Sequence, residues 1–148
     1  MLIRTAKYSD KDKIIDFQMK MAWETEGLEL NPELVNKGVE NVLNDPSKGV
    51  YYVFEFDDNV VASLLITYEW SDWRNGTVLW IQSVYVLPQF RGQGIYKKMY
   101  HYLKEKIKNE PGLLGLRLYV EKNNINAQSV YSKLGMNGDH YQMFEWFG

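Results

Sequence analysis

The spacing of apolar residues along the chain predicts four helices and six strands joined by short turns. Apolar positions recur every three or four residues in three stretches, which we predict to be helices: Ser9 to about Gly27, Asn31-Pro32 to Asp45-Pro46, and 95–109. Six stretches rich in β-branched and aromatic residues predict strands at 2–5, 50–56, 60–70, 78–87, 114–120 and 141–147. A short fourth helix is expected to end at Gly135.

The order of these elements indicates a mixed sheet. Residues 78–87 are almost continuously apolar, which predicts a central strand buried on both faces. The helix 95–109 separates this strand from 114–120, so the two should be parallel, whereas 50–56 and 60–70 should form an antiparallel hairpin. We therefore expect one α/β domain over residues 1–148, with a mixed sheet of six to seven strands flanked by about four helices.

Composition excludes several classes of function. The 17 Lys and Arg against 19 Asp and Glu give a net charge of −2, which provides no overall positive field for nucleic acid or an anionic membrane. The absence of cysteine excludes disulfides, a thiolate nucleophile and a cysteine zinc site, and two histidines predict no metal centre. No apolar run reaches the roughly 18 residues of a membrane span. We expect a soluble, cytoplasmic protein.

A glycine-rich turn, Gln89-Phe90-Arg91-Gly92-Gln93-Gly94, follows the predicted central strand and precedes a helix. Glycines let the backbone approach a ligand, and helix-start N–H groups attract anions, so the turn suits a diphosphate. It lacks the Lys-Ser/Thr pair of an ATP-binding loop, and Tyr96 and Lys97 depart from the dinucleotide-binding pattern. A tight turn with glycines for steric reasons alone is the alternative.

Two spaced motifs resemble the GNAT superfamily of acyl-CoA-dependent N-acetyltransferases over the whole chain. Gln-x-x-Gly-x-Gly after a strand ending in Val-x-Val resembles motif A, and residues 123–136, NNINAQSVYSKLGM, resemble the next motif, Asn-x-x-Ala-x-x-x-Tyr-x-x-x-Gly. The residues that match the second motif are Asn124, Ala127, Tyr131, Gly135 and Met136. The resemblance implies a GNAT-type fold and acetyl-CoA as the co-substrate. The stretch 69–95 is more weakly similar to the diamine and polyamine acetyltransferase branch.

The resemblance also implies which residues bind acetyl-CoA. Main-chain groups would contact pantetheine at Val84, Tyr85 and Val86. The pyrophosphate would be bound by N–H groups of Arg91, Gly92, Gln93, Gly94, Ile95 and Tyr96. Lys97, Lys98 and Lys104 would either reach the 3′-phosphate of CoA or form a solvated helix face. The second motif implies that Asn124 also contributes to cofactor binding. Tyr96 stands where the family usually has a small residue, which indicates a wider helix start or a ring over the cofactor.

The chemistry requires a neutral amine and a protonated leaving group. At pH 7 deprotonating an alkylammonium with a pKa of about 10.4 costs about 4.6 kcal/mol. The resemblance implies that Tyr131 donates a proton to the leaving thiolate. The alternative is that Tyr131 only packs in the hydrophobic core. Gln82 stands where the similar branch often has glutamate, so it can hold a water or the amine but cannot act as a base. The acceptor's proton would then be removed by Glu24, Glu69 or Asp72. The alternative for each of these residues is an ordinary carboxylate on the protein surface.

Aromatic and acidic residues in two segments suit a cationic acceptor. The predicted acceptor residues are Trp23, Glu26, Trp70, Asp72 and Trp73. An oligomer interface explains the tryptophans equally well, and the aromatic content predicts a homodimer. We thus expect direct acetyl transfer, in a ternary complex, to a primary amine of a diamine, polyamine or basic amino acid derivative. The alternatives are acetylation of a protein or peptide amine and a non-catalytic acyl-CoA-binding module.

Overall fold

The computed structural model describes all residues, Met1–Gly148, which divide into the compact units Met1–Arg117 and Leu118–Gly148. The first unit contains β1 Leu2–Thr5, α1 Lys11–Glu26, α2 Pro32–Asn44, β2 Val50–Phe56, β3 Asn59–Ser71, β4 Gly76–Val86, α3 Ile95–Asn109 and β5 Leu113–Arg117. The second contains α4 Ile125–Lys133. No helix combines the length and the apolar character needed to cross a membrane. A single domain over 1–148 stays a prediction.

The strands form one mixed sheet in the order β1-β2-β3-β4-β5. The first three pairings are antiparallel, and β4 and β5 are parallel, as the intervening helix predicts. The α/β class with a mixed sheet and four helices is confirmed, but the sheet has five strands, not six or seven.

The predicted strand at 141–147 is wrong. These residues pair with no strand, and Phe144 is 90% exposed. An apolar, β-prone pattern becomes a strand only where another strand supplies partners for its N–H and C=O groups. The segment has no such partner, so its sequence pattern alone does not produce a strand.

Local capping residues explain where the first two helices begin and end. α1 begins at Lys11 rather than at Ser9, because the Asp10 carboxylate accepts a bond of 2.7 Å from the Lys7 N–H and places a short 3₁₀ turn before the helix. Gly27 ends α1 with φ of 63°, as predicted. The Asn31 side chain accepts N–H bonds from the first turn of α2, which confirms the predicted cap.

The core lies on both faces of the sheet, but β4 is not fully buried on both. Leu79 and Ile81 are 2% and 3% exposed on one face. On the other face Trp80 and Gln82 are only half-buried, which corrects the prediction of a strand buried on both faces. Polar side chains are therefore reachable on this second face of β4.

Candidate active site

The glycine turn has the backbone geometry of an anion site. Gly92 and Gly94 have φ of 74° and 73°, a region that favours glycine, and a Cβ at either position would point into open space. Gly94 is the N-cap of α3, and no side chain caps that helix. The N–H groups of the first turn are thus offered to a ligand, and the helix dipole favours an anion there. The turn fits a diphosphate.

The strand before this turn has a partly open edge. β5 pairs with β4 only over Thr77–Trp80, so residues 81–86 have no strand partner on that side. Backbone groups on such an edge can bond to an extended ligand. Val84, Tyr85 and Val86 lie within this stretch, where the sequence predicted main-chain contacts with pantetheine.

An irregularity in β4 determines which side chains share a face. Ser63 pairs with Tyr85 and Leu65 with Gln82, so β4 has one extra residue here, and Ser83 adopts φ of 53°. This bulge brings Gln82 and Tyr85 to the same face, although they are three residues apart. The sequence does not predict this bulge, because serine carries no signal for a left-handed backbone.

Gln82 is oriented by a neighbour on β3. Its Nε2 donates a bond of 2.6 Å to Thr67 Oγ1. With the nitrogen engaged, the carbonyl Oε1 is the atom that remains to accept a bond from a water or an amine. A positioning role for Gln82 toward a water or the amine stays a prediction.

Glu24, in the last turn of α1, is held by two residues of the cofactor side. Tyr85 Oη donates to Glu24 Oε1 at 2.8 Å, and Arg91 Nη2 bonds to Glu24 Oε2 at 2.6 Å. Burial acts to raise the pKa of Glu24, but the bonds from Arg91 and Tyr85 outweigh it and lower the pKa. Burial and the bond to Glu24 together raise the pKa of Tyr85 to about 12. Glu24 is therefore an ionised, partly exposed carboxylate beside β4.

Glu69 lies on the same face as Gln82, further along the sheet. It forms an ion pair of 2.5 Å with Arg117, and Trp80 Nε1 donates to its other oxygen at 3.3 Å. Because strand side chains alternate, Glu69 and Trp70 point to opposite faces. Both residues belong to β3, as the strand predicted over 60–70 implies.

The other predicted acceptor residues are exposed. Trp23 and Trp73 are 62% and 90% exposed, and Glu26 lies at the exposed end of α1. Asp72 lies in the β3–β4 turn, where its carboxylate accepts the Trp73 N–H at 2.9 Å. These residues belong to two chain segments, the end of α1 and the end of β3 with its following turn.

The residues predicted at the start of α3 differ in burial. Ile95 is buried, and Tyr96 is half-buried with its ring centroid 6.3 Å from that of Tyr100. Gln93 donates from Nε2 to Gln89 O at 3.1 Å, which supports the turn. Lys97 is exposed, as expected of a solvated or phosphate-facing lysine.

Within the second unit, Asn124 and Tyr131 have defined local roles. The Asn124 side chain accepts the Ala127 N–H at 3.1 Å and caps α4, which explains the spacing of asparagine and alanine in the second motif. Tyr131 lies in α4, and burial raises its pKa. Its proton-donor role stays a prediction.

A comparison with known families decides the assignment of the chain. The model of the acetyltransferase (GNAT) family matches residues 12–136. The chain belongs to the GNAT acetyltransferase family. No curated protein matches it at a significant level.

Solved structures agree with membership of the GNAT family. A possible acetyltransferase from Clostridium difficile 630 is 46% identical, with a TM-score of 0.93 over 99% of this chain and 97% of that one. A glucosamine-6-phosphate N-acetyltransferase from Arabidopsis thaliana is 25% identical, with a TM-score of 0.73 over 99% and 98%. A predicted acetyltransferase from Clostridium acetobutylicum, solved with acetyl-CoA, is 22% identical, with a TM-score of 0.75 over 97% and 95%.

The family and the local geometry agree on the co-substrate. GNAT acetyltransferases use acetyl-CoA, and the turn at Gly92 and Gly94 with the open edge of β4 fits its diphosphate and pantetheine. The structure contains no group of three or more His, Asp or Glu that could hold a metal ion.

Proposed function

We propose that the protein transfers the acetyl group of acetyl-CoA directly to the primary amine of a small cationic acceptor, in a ternary complex. Two carboxylates carry the proposal, because Glu69 lies on the face of the sheet that also presents Gln82, and Glu24 of α1 bonds to Tyr85 on that same face. Carboxylates beside half-buried polar groups attract an ammonium ion. A diamine, a polyamine or a basic amino acid derivative has the required charge.

The cofactor side of the proposal uses main-chain groups and the start of α3. Pantetheine would pair with Val84, Tyr85 and Val86 at the edge of β4, and the pyrophosphate would lie on the N–H groups of residues 91–96. Lys97 would meet the 3′-phosphate. Asn124, which caps α4, belongs to the proposed cofactor set through the second motif alone.

The proposed reaction moves two protons. After the acceptor loses one proton, its nitrogen lone pair attacks the thioester carbonyl, the C–S bond breaks, and an amide and a thiolate form. Tyr131 would give its proton to the thiolate, and burial keeps the tyrosine protonated at neutral pH. Gln82 Oε1 would orient the amine. The first proton of the ammonium would leave to water, and the second, lost as the amide forms, would pass through water to the Tyr131 oxygen and restore the neutral tyrosine. Glu24, with its lowered pKa, suits binding of the ammonium better than removal of its proton.

A panel of amines with a thiol-release assay tests the acceptor. We expect the highest kcat/KM for putrescine, spermidine or lysine methyl ester, compared with a neutral peptide amine and with glucosamine 6-phosphate. A neutral or anionic acceptor that performs best contradicts the cationic site. A lysine-containing peptide or protein that performs best favours the protein acetyltransferase instead.

Calorimetry separates the enzyme from a binding module. We expect acetyl-CoA to bind and every productive amine to release CoA. Binding of acetyl-CoA without turnover of any amine supports a non-catalytic acyl-CoA module, and absence of binding at millimolar concentration contradicts both.

The proposed assembly is a homodimer. Its support is exposed aromatic surface, since Phe144, Trp146 and Phe147 are 90%, 89% and 84% exposed, and monomers rarely leave large apolar patches uncovered. Sedimentation at tens of micromolar should show the dimer mass, and a monomer at that concentration contradicts it.

A further inference from the structure

Arg91 is bonded to the end of α1 and to β4, although it lies in the glycine turn. Its Nη2 lies 2.6 Å from Glu24 Oε2, and its Nε donates to Val86 O at 2.8 Å. The guanidinium carbon lies 5.3 Å from the centroid of the Tyr85 ring, and Tyr85 holds the second oxygen of Glu24. One guanidinium therefore joins the acceptor carboxylate to the cofactor turn.

The bond between Arg91 and Glu24 is easily exchanged. The two side chains remain 46% and 36% exposed, and solvent-exposed ion pairs contribute little to stability. A diphosphate at the turn carries two negative charges and can accept two parallel bonds from a guanidinium. It would thus compete with Glu24 for Arg91. Val86 O, which accepts the Arg91 Nε bond, is also among the groups proposed to meet pantetheine.

We propose that Glu24 and Arg91 form an ion-pair switch that couples the two substrate sites. The diphosphate of acetyl-CoA takes over Arg91, and the Glu24 carboxylate, still held by Tyr85, becomes available to the acceptor ammonium. This inference rests on the proposed function and adds a coupling between the sites. Because coupling is reciprocal, a bound ammonium at Glu24 also leaves Arg91 to the diphosphate and strengthens CoA binding.

Titration of CoA into the wild-type protein and two variants tests the competition. Glu24→Gln removes the competing charge, so CoA should bind about threefold to fivefold more tightly, the range expected for an exposed pair. Glu29→Gln removes one charge from the exposed segment after α1 and should leave the CoA affinity unchanged. Weaker or unchanged CoA binding by Glu24→Gln would overturn the switch.

The acceptor side gives a second measurement. For the cationic amine with the highest kcat/KM in the panel above, Glu24→Gln should raise KM at least fivefold, and Glu29→Gln should leave it unchanged. A saturating concentration of that amine should tighten CoA binding to the wild type but not to Glu24→Gln. Equal tightening in both proteins contradicts the switch, whereas a wild type that binds no CoA contradicts the proposed function itself.

Discussion

Gln82 and Thr67 are joined across the β3–β4 pair by a hydrogen bond of 2.6 Å from Nε2 to Oγ1. The bond orients the Gln82 amide on the proposed acceptor face. A glutamine can present an oxygen to the amine without changing its charge.

Thr67→Val should therefore reduce kcat about threefold to tenfold with little change in CoA affinity. The loss corresponds to about one hydrogen bond that orients Gln82, or roughly 1 kcal/mol. Thr77→Val, near the start of β4, is the matched control and should keep kcat near the wild-type value. Equal losses in the two variants would mean that the Thr67 hydroxyl acts through the strand and not through Gln82.

Gly94→Ala should weaken CoA binding at least tenfold. The methyl group enters the space in which the diphosphate is proposed to lie, and φ of 73° adds strain of about 1 kcal/mol. Gly112→Ala is a control of similar backbone geometry, with φ of 92° and open space at its Cβ, outside the turn. Calorimetry should show unchanged CoA affinity for the control. If both variants bind CoA like the wild type, the turn has only a structural role.

These glycines show what could be predicted from the sequence. Gly92, Gly94 and the Asn31 cap were predictable, because each effect depends on a few adjacent residues whose backbone preferences are strong. The bulge at Ser83 was not, since it arises from how β4 pairs with β3. The direction of the Arg91 side chain likewise depends on Glu24, 67 positions away in the chain.

The segment 141–147 shows that a local sequence pattern can also predict an element that does not form. Its content of aromatic and apolar residues favours a strand, yet it pairs with no other strand. A local pattern shows that a segment can form a strand, but the strand forms only when the segment pairs with another strand of the fold.

Tyr131→Phe should lower kcat by about 10²–10⁴-fold and leave CoA affinity unchanged, because the ring stays and the proton donor is lost. Burial raises the pKa of Tyr131 above its ordinary value near 10, so the wild-type tyrosine keeps its proton up to at least that pH. The kcat/KM of the wild type should therefore rise with pH as the acceptor loses its proton, without a falling limb below about pH 10. Tyr102→Phe on α3 is the control. If the kcat of Tyr131→Phe stays within threefold of the wild-type value, Tyr131 takes no part in the chemistry.

Asp10→Asn should destabilise the fold at pH 7 by about 1.5–3 kcal/mol, the range for hydrogen bonds to a charged group. Burial acts to raise the pKa of Asp10, but bonds from Arg4 and the Lys7 N–H outweigh it and lower the pKa below the ordinary value. A lowered pKa means that this stability is present above about pH 4 and is lost as the pH falls through the folded-state value. Urea unfolding should thus show a difference between wild type and variant that narrows below pH 4. Asp12→Asn, at an exposed position of α1, should show no such difference.

Glu69→Gln and Asp72→Asn together test where the acceptor binds. Glu69 lies on the face of Gln82 and is paired with Arg117, so its neutralisation leaves the positive charge of Arg117 near the acceptor and should raise KM about fivefold to tenfold. Asp72 lies in the exposed β3–β4 turn, so its variant should raise KM by a smaller factor. Neither variant should change the KM for acetyl-CoA. A larger effect at Asp72 would place the acceptor beside Trp70 and Trp73, and no effect at either position would leave those tryptophans to an interface between subunits.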